Sequence, residues 1–234
     1  MTPATSTLTA PPATRPVRVW DLPTRLFHWL LVLCIVGLVV SGKVGGNALV
    51  WHMRIGLTVL ALLSFRVLWG LAGGRWSRFT RFVRGPGTVL RYPRHPQRPG
   101  DHFEVGHNPL GAGSVLAMLA LLMVQVVTGL VADDEIATTG SLNRFVSNAT
   151  GLAATSWHKN VGLWLIVALV ALHLCAIAFY RWRGTNLVTP MLTGDKTLAG
   201  DVPPSADKWR TRLLALLLLA LCLAGAGWIA RQGG

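Results

Sequence analysis

Five long apolar runs constrain the fold of this chain more than any other feature of its sequence. Each run is about long enough to cross the roughly 30 Å hydrocarbon core of a bilayer as a single helix. The chain has 52% hydrophobic and only 13% charged residues, which is not the composition of a soluble domain. We therefore expect an all-α membrane protein with spans at Pro23–Val40, Val50–Leu71, Gly111–Ala132, His158–Tyr180 and Arg212–Ala230.

The 22 basic residues are distributed unevenly between the two sides of these spans. Most lie in the N-terminal segment, in the loop after the second span and in the loop after the fourth span. Because short basic loops stay on the cytoplasmic side, the pattern predicts a cytoplasmic N-terminus and a periplasmic C-terminus. The net charge of +13 is therefore a topology signal, and we expect membrane lipid and no nucleic acid as a partner.

The segments between the spans divide the chain into three parts. Residues 1–16 are rich in Thr, Pro and Ala and are expected to form a disordered cytoplasmic tail. Residues 17–196 contain the first four spans, and residues 197–234 form a linker and the fifth span. Asn108–Pro109 is typical of a helix start, because Asn caps a helix and Pro fits its first turn, so the third span is predicted to begin there.

Four of the seven histidines lie in or at the ends of spans, and the predicted topology places them at two depths. His52 and His158 both lie near the periplasmic end. His173 is fifteen residues after His158, about 22 Å along an ideal helix, so it lies on the cytoplasmic half with His28. Fifteen helical steps overshoot four turns by about 60°, so His158 and His173 point to the same broad side. The histidines therefore form two depth-matched pairs on different spans.

The second and fourth spans open with the same pattern, Trp-His-x-x-x-Gly. Positions i and i+4 share one face of a helix, so Gly56 is predicted beside His52 and Gly162 beside His158. Glycine leaves clearance next to an imidazole, which a porphyrin held edge-on between two helices requires. Two facing histidines with such clearance are typical of a bis-histidine haem site.

The four histidines also fit roles that involve no haem. A single histidine in a membrane is usually satisfied by a neighbouring carbonyl or hydroxyl, and His28 near a helix end can also reach the interface. Zinc prefers four close ligands, and the spans offer no carboxylate to complete such a set. Two pairs at matched depths favour two bis-histidine haems, pairing His28 with His173 and His52 with His158. Both axial positions of each iron would then be filled, which restricts the chemistry to one-electron transfer; no catalytic residue is predicted.

Haem propionates are anionic and need cationic partners. Arg54 and Lys159 are predicted near the His52–His158 pair. Arg66 lies fourteen residues after His52 and is predicted on the cytoplasmic half, near the other pair. Both arginines are therefore candidate haem-binding residues, and snorkelling of their long side chains to the interface is the alternative.

Several segments resemble the bacterial cytochrome b561 and nickel-iron hydrogenase b-type cytochrome family. They are "VWDLPTRLFHWLLV", "WHMRIGLTVLALLSFRVLWG", "GHNPLG" and "NLVTPMLTGDK", which together extend from Val17 to Lys196. The resemblance implies a four-helix bundle in the bacterial inner membrane holding two b haems, to which a fifth transmembrane helix is added here. It implies that His28, His52, His158 and His173 are the axial ligands. Related short proteins usually separate the two histidines of the fourth helix by fourteen residues, whereas this chain has fifteen.

The family resemblance implies electron transfer between the membrane quinone pool, ubiquinone or menaquinone, and a redox partner. A periplasmic c-type cytochrome or a hydrogenase-like enzyme is the expected partner. The alternative is a membrane oxidoreductase that acts on a small substrate at the periplasmic haem and is coupled to quinone, so the enzyme class stays open. His107 could hydrogen-bond a quinone headgroup or simply start a helix, and the acidic patch Asp133, Asp134 and Glu135 could dock a basic protein or be a solvated loop.

Overall fold

The computed structural model describes residues 14–92, 105–136 and 138–233. Most of the predicted N-terminal tail, together with His95 and His102, lies outside these described residues. In chain order the strands and helices are β1 (Thr14–Arg18), α1 (Leu22–Val44), α2 (Ala48–Ala72), α3 (Phe79–Phe82), α4 (Pro86–Arg91), α5 (Pro109–Val131), α6 (Asn148–Ser156), α7 (Leu163–Trp182), α8 (Val188–Thr193), β2 (Asp195–Ala199) and α9 (Trp209–Ala230).

Five helical segments of the described chain are long and apolar enough to cross a membrane, which confirms the predicted spans. The first, second and third spans are α1, α2 and α5, and α9 begins the fifth. Much of their surface is exposed, as lipid-facing helices require. The third span begins as predicted: Asn108 is the N-cap, and its side-chain oxygen accepts a hydrogen bond of 2.7 Å from Gly111 N.

The fourth span is longer than the sequence predicted. It is continuous from Asn148 to Trp182, so its helix begins ten residues before His158. The segment between the predicted third and fourth spans therefore already contains α6, which Ser147 caps by accepting a hydrogen bond from Thr150 N. Between α6 and α7, residues Trp157–Gly162 form a wide π-helical turn that interrupts the regular helix.

The two ends of the bundle differ in their structure. The arginine-rich end carries β1, α3, α4, α8 and β2, and the opposite end carries the short α1–α2 turn and the loop between α5 and α6. The α1–α2 turn contains Gly45 and Gly46 at φ values of 68° and 53°, a backbone region that glycine enters without steric cost. This turn is short enough to make α1 and α2 an antiparallel hairpin.

A small antiparallel sheet ties the N-terminal segment to the chain after the fourth span. β1 pairs with β2 from Thr14 opposite Ala199 to Arg18 opposite Asp195. Arg18 also donates to Asp195 at 2.6 Å and to Asp207 at 2.7 Å. The two predicted domain boundaries, 16/17 and 196/197, fall inside these strands. The division of the chain into domains stays a prediction.

Asp21 is a fully buried carboxylate that organises the arginine-rich end. It caps α1 by accepting a hydrogen bond of 2.9 Å from Thr24 N. It also accepts from Trp69 Nε1 at 3.1 Å and from Ser77 Oγ at 2.7 Å. A buried charge is costly unless it is hydrogen-bonded, and these three donors join the start of α1 to the end of α2 and the following loop.

The fifth span packs against the first hairpin. Ala215 of α9 is buried in a cluster with Phe27 of α1 and with Leu62, Phe65 and Trp69 of α2. At the opposite end of the bundle, Arg144 donates to Gln232 Oε1 at 2.5 Å, just after α9. The fifth span therefore supports α2 from the side, outside the two hairpins.

Candidate functional site

The fold brings His52 and His158 together near the end of the bundle that carries the α1–α2 turn, opposite the arginine-rich end. His52 lies in the second turn of α2, and His158 is the second residue of the π turn. Their ring centroids are 5.9 Å apart, and the ring planes make an angle of 77°. Two imidazoles that bind one metal ion from opposite sides, with metal–nitrogen bonds of about 2 Å, have centroids about 6 Å apart. The pair is therefore spaced for joint ligation of a single ion.

Each ring of this pair is oriented by a backbone carbonyl of the preceding span. His52 Nδ1 donates to Leu38 O on α1 at 2.9 Å, and His158 Nδ1 donates to Gln125 O on α5 at 2.9 Å. A carbonyl oxygen only accepts, so Nδ1 carries the proton in both rings. The lone pair is then on Nε2, which is the state that a metal-binding histidine requires.

A hydroxyl and a glycine complete the surroundings of each ring in the same way. Ser41 Oγ and Thr128 Oγ1 lie 3.4 Å from Nδ1 of His52 and of His158, respectively. A Cβ on the next residue, Gly42, would lie 3.1 Å from His52 Cε1, and a Cβ on Gly129 would lie 2.9 Å from His158 Cε1. These glycines let each imidazole pack against the neighbouring helix.

The repeated hydroxyl-glycine pair was missed by the sequence reasoning. Ser41–Gly42 and Thr128–Gly129 each lie in the last turn or turns of the span that precedes a Trp-His opening. An alignment of the two hairpins could have revealed this repeated pair. The number of residues between the pair and the following histidine differs, however, because the second hairpin has the longer loop. The two hairpins thus present their histidines by the same local device.

A cavity of about 510 Å³ adjoins the His52–His158 pair. Its volume lies in the range of pockets that hold organic cofactors. Its wall includes both histidines, Gly42, Gly129 and Gly56, and a Cβ at Gly56 would meet no other atom within 4 Å. Lys43 and Lys159 also line it.

Two residues predicted at this site occupy other positions. Gly162 is buried against Gln125, and a Cβ there would overlap Gln125 Oε1. The π turn explains the difference, because position i+4 no longer lies directly beside residue i when the turn is widened. Arg54 is exposed, and its guanidinium lies 5.2 Å from the ring centroid of Trp51 rather than in the cavity wall.

The other predicted pair, His28 and His173, lies toward the arginine-rich end. His28 Nδ1 is buried and has no hydrogen-bond partner among the described residues. Helix α7, which carries His173, contains no buried residue, and its most extensive contacts with another span are with α5.

Arg66 and His107 lie beside this second pair. Arg66 is only 3% exposed, its guanidinium lies 5.0 Å from the ring centroid of Phe79, and Nη1 lacks a partner in the described structure. The ring of His107 packs against Trp20 and Phe82 at centroid distances of 4.8 and 4.9 Å. Burial, followed by the positive charge of Arg66, lowers the pKa of His107 to about 3. His107 is therefore a neutral imidazole at physiological pH.

The donor set fits haem better than other metal centres. Among the described residues, no group of three or more His, Cys, Asp or Glu side chains is arranged to hold a metal ion. Zinc and calcium sites require such groups. Two neighbouring imidazoles with fixed tautomers, glycines and an adjacent apolar cavity instead match a pair of histidines that would hold a haem iron.

Comparison with known proteins identifies the family. The model of the prokaryotic cytochrome b561 family matches residues 19–194. The chain belongs to this family. It is a multi-pass membrane electron-transfer cytochrome, and its cofactor is haem b.

Curated relatives carry names from the same family. The chain is 26% identical over 189 residues to the probable Ni/Fe-hydrogenase 1 B-type cytochrome subunit of Escherichia coli K12, covering 66% of this chain and 79% of that protein. It is 29% identical to the probable Ni/Fe-hydrogenase B-type cytochrome subunit of Cupriavidus necator, covering 76% of this chain and 86% of that protein. No solved structure matches the chain.

Proposed function

We propose that this cytochrome holds two b haems with bis-histidine ligation and conducts electrons across the bacterial inner membrane. His52 and His158 would bind one haem, and His28 and His173 the other. The observation that carries the proposal is the His52–His158 pair, whose ring centroids are 5.9 Å apart and whose Nδ1 atoms each donate a hydrogen bond to a backbone carbonyl. Haem b held by these histidines would supply one-electron redox chemistry.

The protein's own groups prepare these sites before a cofactor binds. Leu38 O and Gln125 O hold the rings in the tautomer that exposes Nε2, and Gly42 and Gly129 let the rings lie close to the helices. Such outer contacts raise the basicity of a ligating imidazole and fix its orientation. Lys43 and Lys159 in the cavity wall, and Arg66 at the other pair, are the cations for the propionates.

The orientation follows from the charge distribution. Because basic loops remain in the cytoplasm, the arginine-rich end is assigned to the cytoplasmic side and the opposite end to the periplasmic side. His52 and His158 would then face the periplasm, where the protein partner docks. The relatives' names favour a hydrogenase as that partner, and a c-type cytochrome is the alternative.

Quinone, ubiquinone or menaquinone, is proposed as the second redox partner, on the cytoplasmic half. His107 supplies a neutral imidazole whose Nδ1 is buried and unpartnered in the described structure, close to Arg66, His28 and His173. A neutral ring nitrogen is suited to hydrogen-bond a quinone oxygen without adding charge to the membrane interior.

A pyridine haemochrome assay on the purified protein tests the number of haems, and reduced-minus-oxidised spectra test their spin state. Two low-spin b haems per chain support the proposal. One haem, or a high-spin spectrum, contradicts bis-histidine ligation at one or both pairs. Reduction of both haems by a quinol analogue, compared with reduction by small reductants added to the periplasmic face, distinguishes electron conduction from the alternative of a small-substrate oxidoreductase.

A further inference from the structure

Gln125 of α5 contacts His158 in two ways. Its main-chain oxygen accepts the hydrogen bond from His158 Nδ1 at 2.9 Å. Its side-chain Nε2 donates to the main-chain oxygen of His158 at 2.8 Å. The same residue thus holds both the ring and the backbone of His158.

The backbone that Gln125 holds belongs to the π turn Trp157–Gly162. A π turn uses i→i+5 hydrogen bonds and accommodates one more residue than an α-helical turn. The spacing of fifteen residues from His158 to His173 therefore covers the rotation of a spacing of about fourteen in a regular helix. Without the π turn, the extra residue would rotate one histidine away from its partner, because each helical residue turns the chain by about 100°.

Space for the Gln125 amide depends on Gly162. A Cβ at Gly162 would overlap Gln125 Oε1 and would lie 3.0 Å from Trp157 Nε1. Both of these atoms are buried, and neither has a hydrogen-bond partner among the described residues. Burying Gln125 Oε1 without a partner costs free energy that an apolar side chain at this position would avoid, so the amide is more than a packing group.

The first hairpin gives the contrast. Leu38 has the position of Gln125, because its main-chain oxygen accepts from His52 Nδ1. Leu38 has no side-chain donor, and His52 lies in the regular helix α2. The amide of Gln125 is therefore present where the histidine lies in a π turn. Where the histidine lies in a regular helix, the apolar side chain of Leu38 takes its place.

We propose that Gln125 is a positioning residue for His158. Donation from its amide to the His158 carbonyl stabilises the π turn, and the π turn keeps the His158 ring opposite His52 despite the fifteen-residue spacing. This inference rests on the proposed role of His158 as a haem ligand.

Electron paramagnetic resonance of the oxidised protein tests this role, because the signal of a low-spin bis-histidine haem depends on the angle between the two imidazole planes. Gln125→Met keeps the length of the side chain and removes the donor. Gly162→Ala disturbs the same amide from the other side. Met123→Leu, a volume-conserving change of a partly buried residue on the same helix, is the control.

Both test variants are expected to shift the signal of the His52–His158 haem and to weaken binding of added haemin at that site about tenfold, while the other haem is unchanged. The control is expected to match the wild type. Wild-type signals and haem affinities in both Gln125→Met and Gly162→Ala would overturn the inference and leave the haem assignment intact. A wild-type protein without a bis-histidine haem at His158 would instead overturn the proposed function.

Discussion

The two histidine pairs are built in different ways. Both rings of the His52–His158 pair donate to backbone carbonyls and lie at glycines beside a defined cavity. In the second pair, His28 Nδ1 has no partner within the described structure, and α7 around His173 has no buried residue. A buried polar atom without a partner costs free energy. The comparison teaches that the backbone prepares one site, whereas the other is surrounded by the side chains of Arg66 and His107.

Replacement of a ligand is the most severe test of this comparison. His52→Ala or His158→Ala is expected to reduce the haem content from two to one per chain, because the remaining imidazole cannot hold the haem alone. His28→Ala or His173→Ala is expected to remove the other haem instead. Pyridine haemochrome assays with redox titration identify which haem is left, and each pair of variants is the control for the other. Full retention of two haems in any of the four variants would contradict the assignment.

The glycines test whether the first site is prepared by the backbone. In Gly129→Ala, the new Cβ would lie 2.9 Å from His158 Cε1, closer than ordinary contacts allow, so the ring must move. We expect haemin binding at that site to weaken by about tenfold or more, as for other disturbed outer contacts of a metal ligand. Gly113→Ala on the same helix is the matched control, since a Cβ there meets nothing within 4 Å. Gly42→Ala, with its contact at 3.1 Å, should have a smaller effect than Gly129→Ala.

Arg66 tests the role of side chains at the second site. Removing its positive charge in Arg66→Gln is expected to favour ferric over ferrous haem and to lower the reduction potential of the His28–His173 haem. Unit charges roughly 10 Å apart at an effective dielectric constant of about 20 interact by about 1.7 kcal/mol, which corresponds to about 70 mV. Spectroscopic redox titration measures the shift. An equal shift of both haems would show that Arg66 does not act on the second site specifically.

His107 is expected to give the smallest effect, seen as acid sensitivity. Its pKa is lowered from 6.5 to about 3 in the folded protein, so the unfolded chain binds the proton first as the pH falls. Its contribution to stability is fully present above pH 6.5 and is lost progressively toward pH 3. Between pH 7 and 5.5 the loss is about 1 kcal/mol. Thermal unfolding in detergent should therefore show a smaller drop over this range for His107→Gln than for the wild type, and identical drops would refute the role.

Local sequence signals predicted the spans, because each apolar run is long enough to determine a helix by itself. The Asn108–Pro109 start of the third span was also correct, since capping depends only on neighbouring residues. The pairing of His52 with His158 was a prediction from depth, and the structure places their rings side by side. Depth along a span follows from residue count alone, so the sequence contains this information.

Features that depend on contacts between distant segments could not be predicted in this way. The position of Gly162 was missed because it lies in the π turn, whose contact with Gln125 joins residues 33 positions apart. Arg54 was placed at the first site by depth, but depth does not show on which side of a helix an exposed side chain lies. The pairing of β1 with β2 joins segments separated by four spans, and neither strand has a distinctive sequence pattern.

The small sheet has a consequence for membrane insertion. β1 is synthesised before the four intervening spans and must stay unpaired until β2 emerges after them. The two strands can meet only if an even number of crossings separates them. A chain in which one span fails to insert would leave Arg18 and Asp195 on opposite sides of the bilayer. The sheet and its ion pairs can therefore form only when an even number of the intervening spans has crossed the membrane.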